Sequence, residues 1–84
     1  MVSSASVPTV LVIDGFRFFF FSNEGMEPPH IHVEQGDGHA KFWLLPVELV
    51  VAHRLRQQEV RRARLLVEEN QTQFLERWRE YFGT

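Results

Sequence analysis

The sequence predicts an α+β domain in the order ββββαα, that is, two β-hairpins forming a four-stranded antiparallel sheet, then a short helix and a long C-terminal one. Three observations carry this. β-Branched and aromatic runs flank Asp14-Gly15, a second pair of alternating runs flanks "QGDG" at 35–38, and beyond about residue 57 the apolar spacing changes from two to three or four. At 84 residues the chain has surface enough for one modest core, so a single domain is expected.

The elements follow in order. Residues 1–7, "MVSSASV", are small and mostly polar and read as a frayed or non-native start, with the domain running over 8–84. "TVLVI" and "FRFFFFS" surround Asp14-Gly15, a dipeptide that favours the type I′ turn of a tight hairpin. The register then pairs Ile13 with Phe16, Val12 with Arg17 and Leu11 with Phe18. Both faces of this hairpin are largely apolar, which suits it to closing a dimer or receiving another chain on the side the helices leave free. "NEGMEPP" is a loop by its Asn, Gly and paired prolines.

In the second hairpin, Gly36-Asp37 at the turn sets Val33 opposite Ala40 and Ile31 opposite Phe42, which satisfies the hydrophobic alternation of both strands at once. After Pro46, "PVELVVAHRL" is suited to a short helix that starts at the proline. The last segment, Gln57 to Phe82, reads as one long helix. Val60, Ala63, Val67, Phe74, Trp78 and Tyr81 form its apolar stripe, Leu66 and Phe82 widen it, and Gly83 ends it. The stripe has a plain role as the helix face that covers the sheet.

Composition bounds the chemistry. The chain is 44% hydrophobic and 24% charged, as a globular domain should be, and its eight Phe and two Trp supply most of the expected core. Without cysteine there is no thiolate nucleophile, no Cys-ligated zinc and no disulfide, so a reducing compartment, the cytoplasm, is expected. No stretch approaches the ~20 apolar residues of a membrane span, and none reads as a secretory leader. The charge is uneven: residues 1–50 hold two basic against six acidic groups, and residues 51–84 hold seven Arg against five Glu.

Two constellations carry candidate chemistry. In the second hairpin, His30, His32 and Glu34 share a face with His39, Lys41 and Trp43, in the cross-strand pairs His30–Trp43, His32–Lys41 and Glu34–His39. Imidazoles can serve as general base and acid near neutral pH, and a lysine can steady a phosphate's developing charge. That set suffices for RNA cleavage without a metal or other cofactor, with His30, His32 and Lys41 as catalytic candidates and Glu34 and His39 as supporting ones. The same histidines also suit a divalent metal, although Lys41 places a positive charge where the ion would sit. The plainer alternative is a solvated polar face. His53 reads as a helix-surface or interface group.

The second constellation is "RLRQQEVRRAR", where Arg54, Arg56, Arg61, Arg62 and Arg64 are suited to RNA phosphates or to an acidic partner segment. Glu59, Glu68 and Glu69 lie within helical reach and can neutralise part of it.

The stretch from Pro8 to Val50, together with "VEENQTQFLERWREYFG", resembles the small bacterial proteins of the domain of unknown function 4160 family, most specifically in "EPPHIHV" and "AKFWL". The resemblance covers about Pro8 to Gly83. It implies a protein partner, because similar proteins are often encoded beside another small protein in an arrangement like a two-gene toxin–antitoxin cassette. It carries over no catalytic residues.

The leading functional expectation is therefore a cytoplasmic component of such a two-protein module, acting on RNA through the His/Lys face. A non-enzymatic adaptor or antitoxin-like domain, using the Phe-rich first hairpin and the Arg cluster as its interface, is the alternative from a different class. A metal-binding domain is the third.

Overall fold

A computed structural model describes residues 9–21 and 25–83. The expectation for residues 1–7 lies outside the described residues. Strands β1 (Thr9–Ile13) and β2 (Phe16–Phe19) form the first hairpin. Asp14 and Gly15 both take positive φ, 52° and 81°, as a type I′ turn demands, and the pairs Ile13–Phe16, Val12–Arg17 and Leu11–Phe18 are those the turn chemistry dictates. The turn is fastened from outside by an ion pair between Asp14 and Arg62 of the first helix.

Strands β3 (His30–Gln35) and β4 (Gly38–Leu44) form the second hairpin. Gly36 supplies the positive φ, 57°, at the first turn position, and the register runs from Gln35–Gly38 to His30–Trp43 as the alternation requires. Gly38 has a packing reason as well: a Cβ there would overlap Leu55 and the carbonyl of Arg54.

The segment after Pro46 is a strand, not a short helix. Strand β5 (Val47–His53) turns back antiparallel on β4 and completes a five-stranded sheet in the order β1-β2-β3-β4-β5. Pro46 sits within the turn, after a cis peptide bond from Leu45, rather than at a helix start. With Val47, Val50 and Val51 in seven residues, β-branched propensity favours the strand. Lys41 pairs with Val51 and Phe42 with Leu49, so Val50 is the extra residue of a bulge that interrupts the alternation.

The expected single long helix is two: α1 (Gln57–Glu69) and α2 (Gln71–Phe82). Asn70 leaves helical geometry at φ −114°, ψ 17°, and its Nδ2 donates to the Leu66 carbonyl at 2.8 Å, closing α1 while its own carbonyl accepts from Phe74 N to open α2. Gly83, at φ 72°, ends α2 in the left-handed cap. Both helices cover one sheet face. Phe16, Phe18, Ile31, Val33, Ala40, Phe42 and Leu44 from the strands join Ala63, Leu66, Val67, Phe74 and Trp78 in one buried cluster. Among the described residues no helix is long and apolar enough to cross a membrane.

Candidate functional site

Because side chains alternate along a strand, the sheet face turned away from the helices carries three cross-strand rows: Arg17, Glu34, His39 and His53; Phe19, His32, Lys41 and Val51; and His30, Trp43 and Glu48. The second hairpin thus brings His30, His32, Glu34, His39 and Lys41 to one face, in the expected pairs. The face is not an open polar surface, however. His30 is 0% and His32 5% exposed.

What encloses them comes from outside the hairpin. His32 lies between the stacked rings of Phe19, at 5.4 Å, and His39, at 5.2 Å, with Phe21 edge-on at 4.8 Å. Its Nδ1 is 3.0 Å from Nε2 of His39, so the two imidazoles share one proton between those nitrogens. His30 is closed by Trp43 on its own face and by Trp78, which reaches round from α2 to 4.8 Å. The His30 Nδ1 donates to the Pro28 carbonyl at 2.9 Å, an acceptor-only partner that fixes the tautomer. The consecutive prolines of "EPPH" thereby hold the strand entry over His30, and Leu44 N adds a bond to Pro29 O at 3.0 Å.

The cations of the face are occupied. Lys41 Nζ contacts Glu27 Oε1 at 2.7 Å, lies 4.9 Å from the Trp43 ring centroid, and its side chain is only 15% exposed. Arg17 donates to Glu34 at 3.1 Å and to Thr9 Oγ1 at 2.9 Å while its guanidinium covers Phe19 at 4.4 Å. Glu27 was not among the candidate residues, and it bears on both Lys41 and His30, whose Nδ1 is 3.7 Å from the same carboxylate oxygen. Its signal was local, three residues ahead of His30 in a proline-fixed loop.

His53 lies on a strand and not on a helix surface. As part of β5 it stands beside His39 on the same face and is exposed, so the accessible imidazoles are His39, half-buried, and His53. No three His, Cys, Asp or Glu among the described residues are grouped to hold a metal ion.

The Arg cluster divides. Arg62 is bound to Asp14, whose hydrogen bond and charge hold the guanidinium above its ordinary range. Arg64 donates to Glu68 at 3.3 Å and to the Val47 carbonyl at 3.1 Å, tying α1 to β5. Arg54, Arg56 and Arg61 are exposed and form no ion pair among the described residues. In the Phe-rich segment Phe16, Phe18 and Phe20 join the core, Phe19 is buried on the opposite sheet face, and Phe21 and Val12 present large apolar surface. Most of its phenylalanines are spent on the core and on covering His32, which leaves Val12 and Phe21 as the exposed apolar groups of that segment.

Neither curated proteins nor solved structures gave a match to this chain. The family model described as Domain of unknown function (DUF4160) matches residues 15–79, from the first turn to the last turns of α2, and the chain belongs to that family.

Proposed function

We propose that the chain is a small, non-enzymatic component of a two-protein module in the bacterial cytoplasm, and that it captures an acidic segment of its partner, a small protein encoded beside it, through Arg54, Arg56 and Arg61. The observation that carries this reading is the contrast in availability. These three guanidinium groups are exposed and uncompensated among the described residues, while His30 and His32 are enclosed by rings and Lys41 is held by Glu27. A catalytic base must reach the proton it removes, and His30 and His32, at 0% and 5% exposure, offer little surface for that. Guanidinium forks, in contrast, bind carboxylates best when no internal acid already occupies them.

Co-expression with the neighbouring gene product, followed by titration calorimetry, tests the assignment. Reversing two charges, Arg54→Glu with Arg61→Glu, should weaken the complex by about tenfold or more, while His39→Ala leaves it unchanged. Equal affinity after the double reversal would remove the arginines from the interface.

A second reading, an RNA-directed activity, is favoured by one observation: His39 and His53 are cross-strand neighbours beside Lys41 on one face and remain accessible. In it the acid and base roles belong to that pair rather than to His30 and His32. Purified protein incubated with labelled RNA should then cleave it, and His39→Ala should abolish cleavage with the fold intact; an inert wild-type chain rules this reading out.

A further inference from the structure

Strand β5 is one edge of the sheet, with β1 at the other, and no described strand pairs with its outer side. Edge strands are usually blunted by lysine, proline, an inward charge or a covering element. The centre of β5, Leu49-Val50-Val51, carries none of these side chains, and Leu49 and Val50 are each 42% exposed.

The bulge gives this edge a specific partner. Glu48, paired with Trp43, stands on the face away from the helices, and Leu49, paired with Phe42, on the helix face. Beyond Val50, Ala52, paired with Ala40, is on the helix face and His53, paired with His39, on the opposite one. In an unbulged strand Glu48 and His53, an odd number of residues apart, would face opposite sides. The extra residue brings them to the same side, with the strand's acid near its start and an imidazole at its end. An antiparallel copy related by a two-fold axis through the bulge therefore sets Glu48 against the second copy's His53 on one face and Leu49 against the second copy's Ala52 on the other, each twice. A shift of one residue in either direction would oppose side chains from different faces.

We propose that β5 is the seam of a homodimer, in which two copies of this chain pair β5 to β5, antiparallel across the Val50 bulge, to make one continuous sheet with five strands from each copy. The occupant of the edge is a second copy because the strand's charge order and face order complement themselves under a two-fold, as an isologous interface requires. The apolar Leu49-Val50-Val51 stretch closes against its own image, and the ladder supplies the hydrogen bonds.

Sedimentation velocity on the chain alone, from about 1 to about 100 μM, reads the association directly, and it is independent of the acidic partner proposed above. The wild type should dimerise. Val50→Lys should abolish dimerisation without changing the circular dichroism spectrum. Glu48→Lys sets a lysine against the second copy's His53, and His53→Glu sets two carboxylates together; each should raise the dissociation constant by about tenfold or more. The double variant, Glu48→Lys with His53→Glu, exchanges the charges and should restore the dimer. A wild type that stays monomeric throughout, a dimer indifferent to the single changes, or a double variant no better than either single one overturns the proposal.

Discussion

On the helix side of the sheet, Phe18, Ile31, Val33, Ala40 and Phe42 are fully buried in one apolar cluster shared by the strands and helices. On the other side, the same strands place Phe19, His30, His32, Lys41 and Trp43, and neither helix lies over them, although the Trp78 ring of α2 reaches His30. Yet His30 and His32 are as inaccessible as the core. The first side is closed by secondary structure, the second by individual side chains: Arg17 laid over Phe19, Phe21 set edge-on to His32, and Lys41 drawn over Trp43 by Glu27. A face closed in this way buries polar groups only as well as each hydrogen bond allows, because the cost of an unmet imidazole nitrogen falls on a few named partners. The helix side gains instead from area and close packing, which are spread over many contacts.

The comparison breaks if the two sides respond alike to truncation. Phe42→Ala, beneath the helices at 0% exposure, should cost about 3–5 kcal/mol in equilibrium urea unfolding, through lost transfer energy and an unfilled cavity. His32→Ala should cost less, about 1–3 kcal/mol, by removing the hydrogen bond to His39 and unstacking Phe19. His32→Phe separates the two contributions, since it keeps the stack and loses the hydrogen bond. If His32→Ala proved as costly as Phe42→Ala, the polar side would be a second core rather than a cover.

The difference between the sides also explains what the sequence made legible. The two hairpins could be read because Asp14-Gly15 and Gly36-Asp37 fix turn geometry locally, and the turn fixes register. Register assigns a residue to a face; it is silent on what lies over that face. His30 and His32 looked open for that reason: Trp78 and Phe21, which close over them, come from α2 and from the segment after β2. Strand β5 was misread because an edge strand with Glu48, Leu49 and Val50 all exposed has no buried alternation to display, and the bulge breaks the period besides. The mistake carried His53 off the face where it belongs. The break at Asn70 was hidden by phase: Val67 and Phe74, seven residues apart, keep one apolar stripe across two helices, and only the polar "ENQTQ" marked the joint.

The smallest expected effect is the one that best defines the cover. Lys41 has two attachments, the ion pair with Glu27 and the contact with Trp43, and these make different demands. Glu27 is 44% exposed at its side chain, so its attraction for the ammonium is screened by water and is worth about 0–1 kcal/mol. The aliphatic stem, on a side chain only 15% exposed, contributes by covering surface, which does not need the charge. A double-mutant cycle with Glu27→Gln and Lys41→Met should therefore give a coupling below about 1 kcal/mol, with Lys41→Met close to neutral and Lys41→Ala costlier than either. A coupling above about 2 kcal/mol would mean that the pair behaves as a desolvated ion pair, and that the side without helices is as dry as the side beneath them.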